Sequence, residues 1–275
     1  MNDLRRELAP ISTEGWAQID QEARHALETT LAARKVVDFS GPHGWSKSAV
    51  NLGRVTALGK APAPEVTAAL RQVQPLVELR ASFEVSRAEI DAIGRGARDP
   101  DLEPVRRAAC RIAFAEDRVV FHGYPEGHLV GMCEAAASTA VPLSDDYERY
   151  PASVAEALDT LRRAGVNGPY ALALGPRCYT GLSKTISKAG YPMMHVVQRL
   201  LDGPVVWAPA VDGAVVVSLR GGDFELVVGR DLAIGYHDHS ATSVQLYLEE
   251  SCTFRVLASE AAVPLTYRAA GKEKS

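Results

Sequence analysis

Two short strings and one separated pair in this chain bring together residue types that do chemistry. His237-Asp238-His239 sets two imidazoles two residues apart, which on a strand puts them on one face, and imidazole is a frequent zinc ligand. Two imidazoles alone leave the coordination incomplete, so the string reads better as a solvent-exposed turn. Cys178 and His195 are the residue types of a thiol nucleophile and its base. Nothing in the sequence orients that pair, and a buried structural thiol is the commoner outcome. Gly221-Gly222-Asp223 has the look of an anion-cradling loop, but it stands between two strand-like runs instead of ahead of a helix, which favours a tight hairpin connection. His25, His43, His122 and His128 show no ligand spacing. The strings GxGxxG, GxxxxGKS/T, GxSxG and HExxH are absent. No catalytic residue, metal ligand or cofactor is expected.

The elements that would position any site alternate between helix and strand. Ser12 caps a helix whose Trp16, Ile19, Ala23, Ala26, Leu27, Thr30 and Leu31 recur at the 3.6-residue period. A β-branched run at Lys35 to Phe39 and a turn at Ser40 to Gly44 follow. From Val50 to Gln74 the pattern is weak and broken by Gly53, Gly59, Pro62 and Pro64, which suits an arm that touches a neighbouring molecule. Pro75 to Phe83 reads as a strand. Ser86 and Glu89 form the pattern of a capping box opening a short helix toward Gly94. Pro104 begins a longer helix with Val105, Ala108, Ala109, Ile112, Ala113 and Val120 on one face. A further helix, Pro151 to Ala164, carries a second capping-box pattern at Ser153 and Glu156. Beyond it come a strand at Tyr170 to Leu174, a helix after Pro176, and a helix ending near Asp202. Four strands follow at Val205 to Trp207, Ala214 to Leu219, Phe224 to Val228 and Val244 to Leu248. The fold class is α+β.

Composition narrows the function classes. Hydrophobic residues make up 47% and charged ones 23% of 275 residues, close to folded soluble proteins at about 45–50% and about 25%. A net charge of −4 and a pI near 6.0 provide no overall positive field for nucleic acid or an anionic membrane. The N-terminus shows no apolar signal-peptide run, and no stretch approaches the about 18 apolar residues of a membrane span. Cys110, Cys133, Cys178 and Cys252 lie far apart with no zinc spacing, as reduced thiols in a cytoplasmic protein would.

Several strings in order resemble the encapsulin shell family. They are Arg6-Glu7-Leu8-Ala9-Pro10, Gly41-Pro42-His43-Gly44-Trp45, Pro75-Leu76-Val77-Glu78-Leu79-Arg80, and Ala115-Glu116-Asp117-Arg118-Val119-Val120-Phe121-His122-Gly123. Gly168-Pro169-Tyr170, Gly190-Tyr191-Pro192, Arg220-Gly221-Gly222-Asp223-Phe224 and Asp231-Leu232-Ala233-Ile234-Gly235-Tyr236 continue the series, so that the likeness runs from about Leu4 to about Leu265. The resemblance implies a Hong-Kong-97-type phage capsid fold with a peripheral domain, an axial domain, an extended loop and an N-terminal helix. On that plan 1–40 holds the N-terminal helix and first strand and 41–75 the extended loop. Residues 76–128 form the peripheral domain with its spine helix, 129–220 the axial domain, and 221–275 the return strands of the peripheral domain and a C-terminal tail.

What the resemblance implies for function is a self-assembling icosahedral shell of sixty subunits that encloses a cargo enzyme, a ferritin-like iron oxidase or a dye-decolourising peroxidase. The subunit itself is expected to be no enzyme, to bind no nucleic acid or membrane, and to sit in the cytoplasm. The cargo would dock a C-terminal peptide in a pocket formed by Leu27, Leu31, Arg34, Asp38, Leu232, Ile234 and Tyr236. Ser187, Lys188, Ala189, Gly190 and Tyr191 would border a fivefold pore. A DNA-packaging phage capsid protein and a peptidase are the alternatives. Arg34→Glu combined with Ile234→Asp is expected to leave shells intact but empty.

Overall fold

A computed structural model describes residues 3–267. The first helix, α1 (Thr13–Thr30), starts where the Ser12 side chain accepts a hydrogen bond from the Gly15 N–H at 3.1 Å, and it buries Ile19, Ala23, Ala26 and Thr30. After a 3₁₀ turn at Ala33–Lys35 come β1 (Asp38–Ser40), β2 (Ala49–Ala57), β3 (Ala69–Pro75) and β4 (Val77–Ser86). Helix α2 (Arg87–Gly94) leads to α3 (Glu103–His122), with Pro104 in its first turn and Gly123 at φ 74° closing its end. The second half contains α4 (Met132–Ala135), β5 (Val141–Leu143), α5 (Tyr150–Arg163), β6 (Tyr170–Leu174), α6 (Pro176–Lys184) and α7 (Met193–Leu201). It closes with β7 (Val205–Trp207), β8 (Ala214–Ser218), β9 (Phe224–Val228), β10 (Ala233–His239), β11 (Ser243–Val256) and β12 (Ala262–Tyr267). No helix among the described residues is long and apolar enough to cross a membrane.

The strands form two five-stranded sheets and one separate ribbon. In the first sheet β11 is the spine, pairing antiparallel with β10, β4 and β9, while β1 lies parallel on β9. The second runs β5-β12-β8-β6-β7, and β6 and β8 are buried along their whole length. Two apolar cores result. One joins α1, α2 and α3 to β4, β10 and β11; the other joins α5, α6 and α7 to the second sheet. Both α3 and β11 run through both: Val105 to Ile112 and Val244 to Leu248 belong to the first core, Val119 to Phe121, Cys252 and Phe254 to the second.

The structure departs from the sequence expectations at several points. The weakly patterned arm is a paired ribbon, β2 on β3, with a register shift between Asn51 and Val55. Its pattern is weak because neither face is buried within the chain: Val55, Leu70 and Val73 stand 50–63% exposed. Neither capping box forms. Ser86 makes no side-chain cap bond, and Glu89 instead accepts from the Asp101 N–H at 2.9 Å. Ser153 lies inside α5, which starts three residues earlier at Tyr150, and its hydroxyl donates to the Pro142 carbonyl at 3.2 Å. The hairpin expected at Gly221-Gly222 is a crossing, since β8 and β9 belong to different sheets; both glycines take φ 81°, and the Gly222 N–H donates to Asp38 Oδ2 at 2.6 Å.

His237 to His239 are exposed but end β10 as strand, beside a register shift between Tyr236 and Asp238. The strand expected at Val244 to Leu248 continues to Val256, because Glu249 and Glu250 are buried with arginine partners and do not mark a strand end. At the end of the described chain β12 joins the second sheet between β5 and β8. The expected C-terminal tail beyond it, 268–275, lies outside the described residues.

Candidate functional site

An open groove of about 350 Å³ runs between α1 and the start of β10. The helix contributes Ala23, Leu27 and Leu31 to one wall, and Leu232, Ala233 and Ile234 supply the other, with Leu248 behind them. This follows from the 3.6-residue spacing of α1, which turns Leu27 and Leu31 to one side, and from the extended backbone of β10. The rim carries both signs of charge, Arg6, Arg24 and Arg34 against Asp20, Glu28 and Asp231. Arg6 is tethered: its Nη2 donates to Asp20 Oδ2 at 2.7 Å and its guanidinium lies 3.9 Å from the Trp16 ring centre. Apolar walls under a charged rim suit an extended chain with apolar anchors and polar flanks.

The structure thus brings Leu27, Leu31, Arg34, Leu232 and Ile234 around one space. Asp38 and Tyr236 are not part of its lining. Asp38 starts β1 and accepts from Gly222 at the crossing between the sheets. Tyr236 is buried further along β10, with its hydroxyl 2.5 Å from His239 Nδ1.

Arg34 closes the groove at its C-terminal end, and its role is larger than the sequence conveys. Its Nε and Nη2 engage Glu116 at 2.6–2.9 Å, Nη2 also donates to Glu250 Oε1 at 2.6 Å, and Nη1 donates to Asp231 Oδ1 at 2.9 Å. The side chains of Glu116 and Glu250 are fully buried. Burial works against the arginine's charge, but the hydrogen bonds and charge of Glu116, then Glu250 and Asp231, outweigh it and hold its pKa above the ordinary value. Burial, then the charge of Glu116, raises Glu250 well above the usual carboxylate range. One residue on, Asp117 accepts the backbone N–H of Ala32 at 2.9 Å and of Ala33 at 2.8 Å. Burial pushes Asp117 up to about 7 against those hydrogen bonds, which pull it down. Neighbouring carboxyls of α3 therefore clamp the turn after α1, one by its backbone and one by its arginine.

Glu116 sits on the apolar face of α3, four residues after Ile112 and three before Val119. A carboxylate at that position is the signal that sequence reasoning passed over.

The loop at Ser187 to Tyr191 is closed by Ser187 N–H to the Tyr191 carbonyl at 2.8 Å and by Tyr191 N–H to Ser187 Oγ at 3.0 Å, with Gly190 at φ 84°. Lys188, Ala189 and Tyr191 are exposed at its tip. Cys178 is buried, its Sγ 3.3 Å from the Tyr267 hydroxyl, whereas His195 is exposed on α7, and no hydrogen bond joins the two. Among the described residues no group of three or more His, Cys, Asp and Glu side chains is arranged to hold a metal.

A long helix crossing two cores, a projecting two-stranded ribbon and a second sheet with its own helices are the parts of a Hong-Kong-97-type capsid subunit, a structural protein of closed shells. The virus-like particle of Pyrococcus furiosus has this fold, with a TM-score of 0.63 at 14% identity over 91% of this chain and 99% of that one. A Mycobacterium phage Bobi structure has it too, with a TM-score of 0.60 at 14% identity over 88% and 91%. The chain belongs to the Linocin_M18 family, described as "Encapsulating protein for peroxidase", whose profile matches residues 1–253. It is 56% identical over 270 residues, 96% of each chain, to the type 1 encapsulin shell protein of Rhodospirillum rubrum. It is therefore an encapsulin shell protein, a structural subunit and not an enzyme.

Proposed function

We propose that sixty copies of this chain close into an icosahedral shell in the cytoplasm around a cargo enzyme, a ferritin-like iron oxidase or a dye-decolourising peroxidase, held by its C-terminal tail in the α1–β10 groove. The observation that carries assembly is the β2–β3 ribbon, whose Val55, Leu58, Val66, Leu70 and Val73 are 48–63% exposed on strands and a tip with no core of their own. Apolar surface of that extent is stable in water only when covered, and a repeated subunit–subunit contact covers it at every position at once. Leu70→Asp with Val73→Asp removes that contact without touching either core. The variant should elute as small oligomers, while the unaltered chain elutes as megadalton particles that appear hollow in electron micrographs. Unaltered protein that runs as a stable monomer or dimer would overturn the proposal.

Cargo docking is supported by the apolar walls of the groove, which are partly open to solvent at Leu27 and Leu232. Ile234 is only 3% exposed and Arg34 neutralises buried carboxylates, so Arg34→Glu with Ile234→Asp would damage the fold and cannot report on loading. Leu27→Gln with Leu232→Gln is the cleaner test. Particles of normal size that lose most of their co-expressed cargo are expected; full loading in that variant, measured by the cargo-to-shell ratio on denaturing gels, rules the groove out. Five copies of Ser187 to Tyr191 around a fivefold axis would form a pore whose Lys188 ammonium groups favour small anions.

A further inference from the structure

The outer edge of β10 carries one unmade backbone pairing, and it lies in the wall of the groove. On its inner side β10 pairs with β11, with Ile234 opposite Leu248 and Tyr236 opposite Leu246; among the described residues no strand flanks its outer side. The Tyr236 N–H points away from β11, since it donates to the Leu4 carbonyl at 2.9 Å. Direction alternates along a strand, so the N–H and C=O of Ile234 leave on that same outer side, while those of Ala233 and Gly235 face β11. Just ahead of the strand, the Leu232 N–H is satisfied by Asp231 Oδ1 at 2.8 Å. Among the described residues Ile234 makes no hydrogen bond beyond the sheet, although it is only 3% exposed and lines the groove. Buried backbone groups are almost always paired. A donor and an acceptor held side by side at one residue of an apolar groove call for a partner that brings its own backbone.

The N-terminal segment of the same chain shows how that edge is filled and where the filling stops. Leu4 takes the position at Tyr236, Asp3 pairs with Arg230, and Arg6 is held on α1 by Asp20 and the Trp16 ring. These ties fix the segment at Tyr236, which is why the groove ends there. The next position along the edge, at Ile234, is left to another chain. Across from it stand Leu27 and Leu31 of α1, within reach of the side chains on one face of an added strand.

We infer that the cargo tail is held as an added β-strand: its main chain pairs with the N–H and C=O of Ile234 on the open edge of β10, beside the position that Leu4 fills, and its alternate apolar side chains meet Leu27 and Leu31. This rests on the groove being the tail site and adds the mode of recognition and the class of ligand, an extended peptide with apolar residues two apart. Main-chain pairing supplies affinity that is indifferent to sequence, and the alternate apolar contacts supply selectivity.

The probe is a fluorescent protein ending in a tail of alternating leucine and serine, co-expressed with the full-length shell chain. It should load into the unaltered shell, and a tail of the same composition with its leucines at helical spacing should load about tenfold less, the effect of losing one buried leucine contact. Absence of loading, or equal loading of the two tails, overturns the inference. Ile234→Pro removes the N–H and suits an edge position whose N–H the sheet does not use. Ile234→Ala keeps the N–H and has the smaller side chain, so it controls for lost packing. Proline shells should load about tenfold less probe than alanine shells, as expected when a buried acceptor loses its donor. Equal loading in the two variants overturns the added strand. Amide exchange read residue by residue in the unaltered shell decides the matter if the proline variant fails to assemble. In loaded against empty shells the Ile234 amide should slow about tenfold in the fraction of subunits that hold a tail, with Ala233 and Gly235 unchanged. Slowing shared equally by all three, or absent, counts against the strand. Probe loading that ignores Leu27→Gln with Leu232→Gln removes the groove as the tail site, whereas loading lost there but equal in the two Ile234 variants removes only the mode of pairing.

Discussion

Arg34→Met should yield little or no soluble, assembled protein. The substitution keeps the volume of the side chain's stem and removes the only guanidinium among the described residues that contacts Glu116 and Glu250, both of which stay in the protein interior. Removing one partner of a buried ion pair costs about 3–5 kcal/mol, a large share of the about 5–15 kcal/mol by which whole domains are stable. Because Glu116 belongs to α3 and Glu250 to β11, the two elements that pass through both cores, the damage spreads to each. The triple variant Arg34→Met, Glu116→Gln, Glu250→Gln removes the charges together with their partner and should regain most of the soluble yield. Thermal unfolding of purified protein checks both. An Arg34→Met shell that melts within a few degrees of the unaltered one would show that the cluster contributes nothing.

The second large effect is expected at Asp117. Its carboxylate takes the N–H groups of Ala32 and Ala33, whose residues are completely buried at the point where α1 hands over to β1. Asp117→Ala leaves both donors without an acceptor, at about 1–3 kcal/mol each, and should lower the melting temperature by well over 5 °C or prevent assembly. Asp117→Asn retains one carbonyl oxygen and should cost much less. The pH dependence separates the two causes. With the folded carboxyl pushed up to about 7, the folded state holds a proton that the unfolded chain has released above about 4. Stability from this group is therefore complete below about pH 4 and lost as pH rises through about 7. Melting temperatures measured from pH 5 to pH 8 should decline in the unaltered protein and decline less steeply in Asp117→Asn; parallel curves would contradict the assignment.

Helix and strand placement was largely legible in the sequence because the signals are local. The cap at Ser12, the apolar stripe of α1 and Pro104 opening α3 each act within a few residues, and the structure reproduces them. The two capping-box patterns at Ser86 and Ser153 failed for the same reason that they were tempting: a short string matches the motif without fixing where the helix begins. The ribbon escaped as a pair of strands because alternation appears only when one face is buried, and here the burying surface belongs to no part of the same chain.

The sequence by itself determined the fold class, through periodicity and element order, and the family, through strings that resemble it in order along the chain; the groove residues were only implied by that resemblance, and the structure gathers Leu27, Leu31, Arg34, Leu232 and Ile234 around one space while leaving Asp38 and Tyr236 outside its lining. Only the tertiary structure decided what Arg34, Glu116, Asp117 and Glu250 do. Their contacts span 82 to 216 residues of sequence, and, apart from Glu116 on the apolar face of α3, each residue taken alone looks like an ordinary surface charge. Whether a charge is solvated or buried, and whether it has a partner when buried, depends on which distant elements pack over it; for these four, α3 and β11 seal the site where the two cores join.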